Sequence, residues 1–157
     1  MVAIPLMRQL AYCGLTWALL ATGASAQVSV TDAWVRGTVP AQRATGAFMQ
    51  LSSATDQALI KAASPAAKSV EIHEMTMERG VMKMRGIDRL EIRAGQKVDL
   101  QTGGYHLMLL DLHAPLKAGD MVVIALTWQD SAGKTTTQEV TAVVKPLASA
   151  GGGARKH

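Results

Sequence analysis

Two imidazoles and two thioethers are the side chains of this sequence best suited to chemistry: His73, Met84, His106 and Met108. Imidazole suits copper, and a thioether is a soft donor that selects Cu(I); neither must give up a thiol proton to bind. His106 and Met108 stand two apart in Tyr105-His106-Leu107-Met108-Leu109-Leu110. On a strand, side chains two apart leave from the same face, so this pair points together. Taken alone, a His-x-Met pair is weak evidence, because methionine commonly fills core gaps and a single histidine is usually a satisfied polar residue. The clustering is less ordinary. Five of the nine methionines, Met75, Met77, Met82, Met84 and Met108, fall in two short segments that also hold two of the four histidines.

The first of those segments must be a hairpin if it is to deliver its donors. His73, Met75 and Met77 share one strand face while Val70 and Ile72 take the other, which is the face expected to enter the core. Glu78-Arg79-Gly80 then turns and Val81-Met82-Lys83-Met84 returns. A reversal centred between Glu78 and Arg79 sets His73 opposite Met84 and Met75 opposite Met82; a bulge at Gly80 would move that pairing by one residue. Directly opposed residues have Cβ atoms about 4.5–5.5 Å apart, close enough for imidazole and thioether to share an ion. Gly103-Gly104 would turn the chain tightly into the second segment and bring its backbone near the hairpin. Met75, Met77 and Met82 are expected to pack or to form a shielding rim, Met49 and Met121 to lie in the core, and His113 to sit in a loop. Asp111, Glu71 and Glu74 are nearby oxygen donors, but hard carboxylates suit a divalent ion better than Cu(I).

The scaffold for these segments reads as all-β. Short β-rich runs recur every eight to twelve residues with turn residues between them, and no helical apolar stripe of convincing length appears. Strands are expected at 28–35, 46–52, 58–63, 69–77, 81–85, 89–92, 97–100, 105–110, 121–129 and 135–144. Ala94-Gly95, Gly103-Gly104, Lys117-Ala118-Gly119-Asp120 and Asp130-Ser131-Ala132-Gly133 supply the reversals. The pattern is that of a single-domain Greek-key sandwich or barrel.

Residues 1–26 read as a secretory signal: Arg8 is the positive n-region, an apolar run follows, and Ala24-Ser25-Ala26 is a small-residue cleavage site. The run is interrupted by Tyr12, Gly14 and Thr16 and falls short of the roughly 20 apolar residues of a membrane span, so no stable membrane insertion is expected. Cys13, the only cysteine, lies inside the segment to be removed. Tyr12 before it and the apolar run after it argue against a lipid anchor there. The mature domain, 27–146, then has no disulfide and no thiolate metal site. Residues 147–157, rich in Ala and Gly, read as a flexible tail. An exported, monomeric domain in the periplasm is the expectation.

Without Arg8, 15 basic and 12 acidic side chains remain, a net charge of +3 with the signs interspersed. Scattered Lys and Arg with few aromatics give no nucleic-acid surface. There is no Gly-x-Ser-x-Gly elbow, no His-Glu-x-x-His pair and no glycine-rich phosphate loop, so no enzyme chemistry is expected. A blue-copper electron-transfer centre would need a cysteine thiolate, which the mature domain lacks.

The spacing His73-x10-Met84-x21-His106-x-Met108 resembles the signature of the PCu(A)C family of periplasmic copper chaperones. The resemblance extends through Asp32-Ala33-Trp34-Val35-Arg36, Thr45-Gly46-Ala47-Phe48-Met49, 73–85, 103–110 and 115–120. It implies a cupredoxin-like β-sandwich that binds one Cu(I) ion per chain through His73, Met84, His106 and Met108. It also implies delivery to the apo copper domain of cytochrome c oxidase or to another periplasmic copper carrier. Some relatives carry a long His- and Met-rich extension that helps to bind Cu(II); this chain has only a short tail with His157. A shallow site at one end of the sandwich, rimmed by Met75, Met82 or neighbouring aromatics, is expected. A copper buffer or resistance protein is the alternative role, and a β-sandwich envelope module without metal the more distant one.

Overall fold

The computed structural model describes residues 27–147; the proposed signal at 1–26 and nearly all of the proposed tail lie outside the described residues. Ten strands form: β1 (Ser29–Arg36), β2 (Ala44–Ser52), β3 (Gln57–Ala63), β4 (Ala67–Glu78), β5 (Val81–Ile87), β6 (Leu90–Ile92), β7 (Lys97–Leu100), β8 (His106–Leu112), β9 (Met121–Asp130) and β10 (Thr135–Lys145). Each falls where alternating apolar residues and flanking turn residues predict it.

Seven of them close a barrel in the order β4-β8-β2-β1-β10-β9-β3, shut by the pairing of Ala62 on β3 with Val70 on β4. Pairs are antiparallel except β1 with β10. Spatial neighbours such as β4 with β8 and β2 with β8 are distant in sequence, as a Greek-key path requires. Inside lie Val35, Met49, Leu51, Ile72, Leu107, Leu109, Ile124, Leu126 and Trp128, the alternate positions of their strands. Met121 does not join them. It is 64% exposed, while Val122 and Ile124 turn inward. The uninterrupted run Met121-Val122-Val123-Ile124 conceals which parity faces the core.

Three irregularities shape the wall that carries the candidate donors. In β1 the register shifts between Thr31 and Trp34, with Asp32 at φ 52°. The extra residue re-aims the strand, as bulges do: Val35 points in and Trp34 points out, stacked on Phe48 with ring centroids 4.5 Å apart. Second, β7 and β8 pair with successive parts of the same edge of β2. The residues between them loop out, and the Gly104 carbonyl accepts a bond from the Met75 amide at 3.2 Å. Third, β4 and β5 run on as a hairpin whose two-residue turn, Arg79-Gly80, has positive φ at both positions, 51° and 80°. That is the primed turn compatible with strand twist. The reversal is therefore centred between Arg79 and Gly80, one residue later than the sequence reading placed it. Met84 faces Met75, Met82 faces Met77, and His73 faces Gly86.

Candidate metal centre

The candidate donors lie on the outer face of β5, β4 and β8, with His73 and His106 at the last rung of the β4–β8 ladder, beyond which the hairpin runs on. Parity explains this. Ile72, Leu107 and Leu109 are drawn inward, so their neighbours His73, His106 and Met108 project outward. His73 and His106 are direct cross-strand partners on β4 and β8, with ring centroids 5.7 Å apart in edge-to-face geometry. Although they are on an outer face, both are buried, at 8% and 7% exposure.

Each ring has one nitrogen secured by a residue two positions earlier. The His73 Nε2 lies 2.8 Å from a Glu71 carboxylate oxygen, so Nε2–H donates and Nδ1 keeps its lone pair. That Nδ1 is buried and meets no hydrogen-bond partner. The His106 Nδ1 donates to the Gly104 carbonyl at 3.2 Å, which leaves Nε2 as the free lone pair. Such second contacts fix the tautomer of metal-binding histidines and raise their basicity. Burial holds the His106 imidazole below its ordinary pKa; the nearby His73 and Arg36 press the same way, and the Gly104 carbonyl partly restores it. His106 is thereby kept neutral, the ligating form.

Met108 follows His106 on the same face and stands opposite Glu71 on β4 and Gly46 on β2. With Met75, His106, Arg36 and Phe48 it lines a cleft of about 210 Å³. Phe48 closes one side of it: its ring folds over Gly46, where an added Cβ would lie 2.8 Å from the ring tip. The Arg36 guanidinium sits 5.4 Å from the Phe48 ring centre, and the ring itself is tilted toward His106 at 6.3 Å. Trp34 backs Phe48, and Lys145 lies over Trp34 at 4.9 Å.

Met84 is the outlying member. It shares the face of His73 but sits diagonally from it, beside Met75, and is 49% exposed. Two strand spacings, about 10 Å, separate its strand from that of His106. The fold thus joins His73, His106 and Met108 on adjacent strands and leaves Met84 half exposed at the rim. Gly86, opposite His73, keeps open space beside the imidazole; even a Cβ there would come no nearer than 3.9 Å. On the hairpin's other face Glu74 takes two bonds from Arg85, at 2.8 and 3.0 Å. The Arg85 bonds hold the Glu74 carboxyl below its usual range, and burial pushes the neighbouring Tyr105 phenol up. His113 is exposed in its loop, as expected.

Among the described residues, no three His, Cys, Asp or Glu side chains are placed to hold one metal ion. Glu71 is not a free oxygen donor: its carboxylate is engaged by His73. Its role was accessible from the i, i+2 rule for strands, and the approach of Gly104 from the tight Gly103-Gly104 turn. Aromatics at the rim were expected, but that Phe48 backed by Trp34 supplies them was not legible, because the bulge at Asp32 that turns Trp34 outward has no clear mark in the sequence.

Residues 28–144 match the profile of the family described as "Putative lipoprotein LpqE-like". The chain is 30% identical over 146 residues to the "Putative lipoprotein Lxx21020" of Leifsonia xyli subsp. xyli, covering 87% of this chain and 86% of that protein. Among solved structures it resembles CuI-DR1885 from Deinococcus radiodurans, with a TM-score of 0.55 at 33% identity over 79% of this chain and 83% of that one. It also resembles the copper-bound PCuAC domain from PmoF2, with a TM-score of 0.59 over 76% and 92% of the two chains; at 18% identity that is a likeness of fold.

Proposed function

This chain belongs to the LpqE-like family of PCu(A)C type, with its cupredoxin-like β-barrel, and from that premise we propose that it is a periplasmic copper chaperone. It carries one Cu(I) ion between His73, Met84, His106 and Met108 and passes it to the apo copper domain of cytochrome c oxidase or to another periplasmic carrier. Copper is its cargo, not a resident catalyst. Export by the N-terminal signal fits the lipoprotein-type names of its relatives.

The observation that carries this reading is the buried, unpartnered Nδ1 of His73, on a ring that meets the His106 ring edge-to-face across the β4–β8 ladder. Leaving a buried polar atom unsatisfied costs about 1–3 kcal/mol. A histidine kept only for packing has no compensation for that cost, whereas a metal ligand does. Two imidazoles with the Met108 sulfur offer a three-donor seat, and Met84 swings in from the rim to complete it.

All four donors are neutral, so loading displaces no thiol proton and leaves the single positive charge of Cu(I) intact. The soft sulfurs favour Cu(I) over Cu(II). Neutral donors also permit release to a site with stronger ligands. Met84, half exposed, is the donor that can leave first while the buried imidazoles still hold the ion. The incoming ligand of a recipient then takes its place, and copper moves down an affinity gradient.

The test is transfer. Protein loaded with one Cu(I) is mixed under anaerobic conditions with an apo oxidase copper domain, the two are separated, and copper is measured in each. Delivery predicts that the metal follows the oxidase domain. Retention by the loaded protein would replace the delivery role with that of a copper buffer.

A further inference from the structure

We propose that Met77 and Met82 form a second, weaker Cu(I) station on the exposed part of the β4–β5 hairpin, where the ion docks before passing to the buried histidines. This rests on the copper reading above and adds a site to it. The two residues are direct cross-strand partners, one rung outward from the Met75–Met84 pair and on the same face as His73. Opposed Cβ atoms about 4.5–5.5 Å apart let two flexible thioethers converge on one ion. The next rung lies about 7 Å further in, two residues along the strand.

Packing does not account for these side chains. Met49, a genuine core methionine, is 1% exposed, whereas Met77 is 64% and Met82 43% exposed. The hairpin segregates its chemistry by face. Lys83 pairs with Glu78 at 2.7 Å and Arg85 with Glu74 at 2.8 Å, all at the parity opposite to the thioethers. The thioether face thus carries soft neutral donors up to His73. Two thioethers suit Cu(I) and offer little to Zn²⁺ or Cu(II). Having fewer donors than the inner seat, the pair binds more weakly, which sets the direction of travel inward during loading. Each departing Cu–S bond is replaced as the ion moves inward, first by the Cu–S bond of a neighbouring thioether and finally by the Cu–N bonds of the two imidazoles; copper remains Cu(I), and neither a proton nor an electron moves.

The experiment is an anaerobic Cu(I) titration of the mature protein against a chromophoric chelator, with stopped-flow kinetics of loading, on wild type and M77L/M82L. Both substitutions are at exposed positions and keep the apolar volume. The wild type should take one tight and one weak equivalent. The double variant should keep the tight equivalent, lose the weak one and load on the order of tenfold more slowly. A double variant that retains the weak equivalent, or loads at the wild-type rate, overturns the outer station while leaving the inner site standing. A wild type that takes up no Cu(I) at all overturns both.

Discussion

His73 and His106 face one another across the β4–β8 ladder with their rings 5.7 Å apart, each held by a backbone or carboxylate oxygen two residues upstream. One nitrogen of each ring is thus occupied and the other left for a ligand. The barrel achieves this by an ordinary device, strand parity, which spends Ile72 and Leu107 on the core and frees their neighbours for the outer wall.

If Glu71 sets the tautomer of His73, its removal should damage metal binding without touching the fold. Glu71→Ala is expected to weaken Cu(I) affinity about 10–100-fold, the usual effect of losing a contact behind a metal ligand. Circular dichroism and the denaturation midpoint should stay near wild type. Undiminished affinity in a competition titration would mean that the carboxylate does not orient the ring.

Met84 and Met108 differ in burial but should both act as donors. Met84→Leu and Met108→Leu should each preserve the fold and cost tenfold or more in Cu(I) affinity, about 1.4 kcal/mol or above. In 13C-methyl methionine spectra, one equivalent of Cu(I) should shift the Met84 and Met108 signals and leave Met49 unmoved. A Met84 methyl that does not respond would remove it from the ligand set.

The Phe48 wall depends on the absence of a side chain at position 46. Gly46→Ala places a Cβ 2.8 Å from the Phe48 ring tip, and that ring is stacked on Trp34 with little room to yield. Overpacking of this kind costs about 1–3 kcal/mol. Urea denaturation should report that loss, and the His106 ring resonances should move with Phe48. Unchanged stability would show that the wall is looser than its geometry indicates.

Much of this was legible beforehand, for identifiable reasons. Strong alternation and Gly-containing turns mark the ten strands, and the i, i+2 rule alone sets His106 beside Met108 and His73 opposite in parity to Ile72. The hairpin register was not legible, because Arg79 adopts a positive φ of 51° that non-glycine residues seldom take. The reversal therefore falls one residue later than Glu78-Arg79-Gly80 suggests. Since that changes each pairing by two residues, Met84 keeps the correct face but trades His73 for Met75 as its partner. Met121 was misjudged for a different reason: four apolar residues in a row carry no parity. The approach of the Gly103-Gly104 turn to the hairpin was legible from its two glycines, and the Gly104 carbonyl indeed meets both Met75 and His106.

His106 also makes acidity a readable variable in the metal-free protein. Its folded pKa lies below the ordinary imidazole value near 6.5, so the unfolded chain binds the proton more readily. Its contribution to stability is complete above about pH 6.5, is lost as pH falls through the depressed folded value, and then levels off. An NMR titration should give a His106 inflection below 6.5, and His106→Gln should flatten that part of the stability profile. An inflection at or above 6.5 would contradict the burial argument. For the same reason, His106 should remain available to copper at a lower pH than a solvent-exposed histidine.

The central claim, that two imidazoles and two thioethers share one cuprous ion, is tested most directly by X-ray absorption at the copper K-edge on protein loaded with one equivalent of Cu(I). The account predicts a Cu(I) edge and a mixed shell of two nitrogen and two sulfur scatterers, with one sulfur lost in Met84→Leu and one in Met108→Leu. A shell of nitrogen and oxygen alone, or one unchanged by both substitutions, would contradict it.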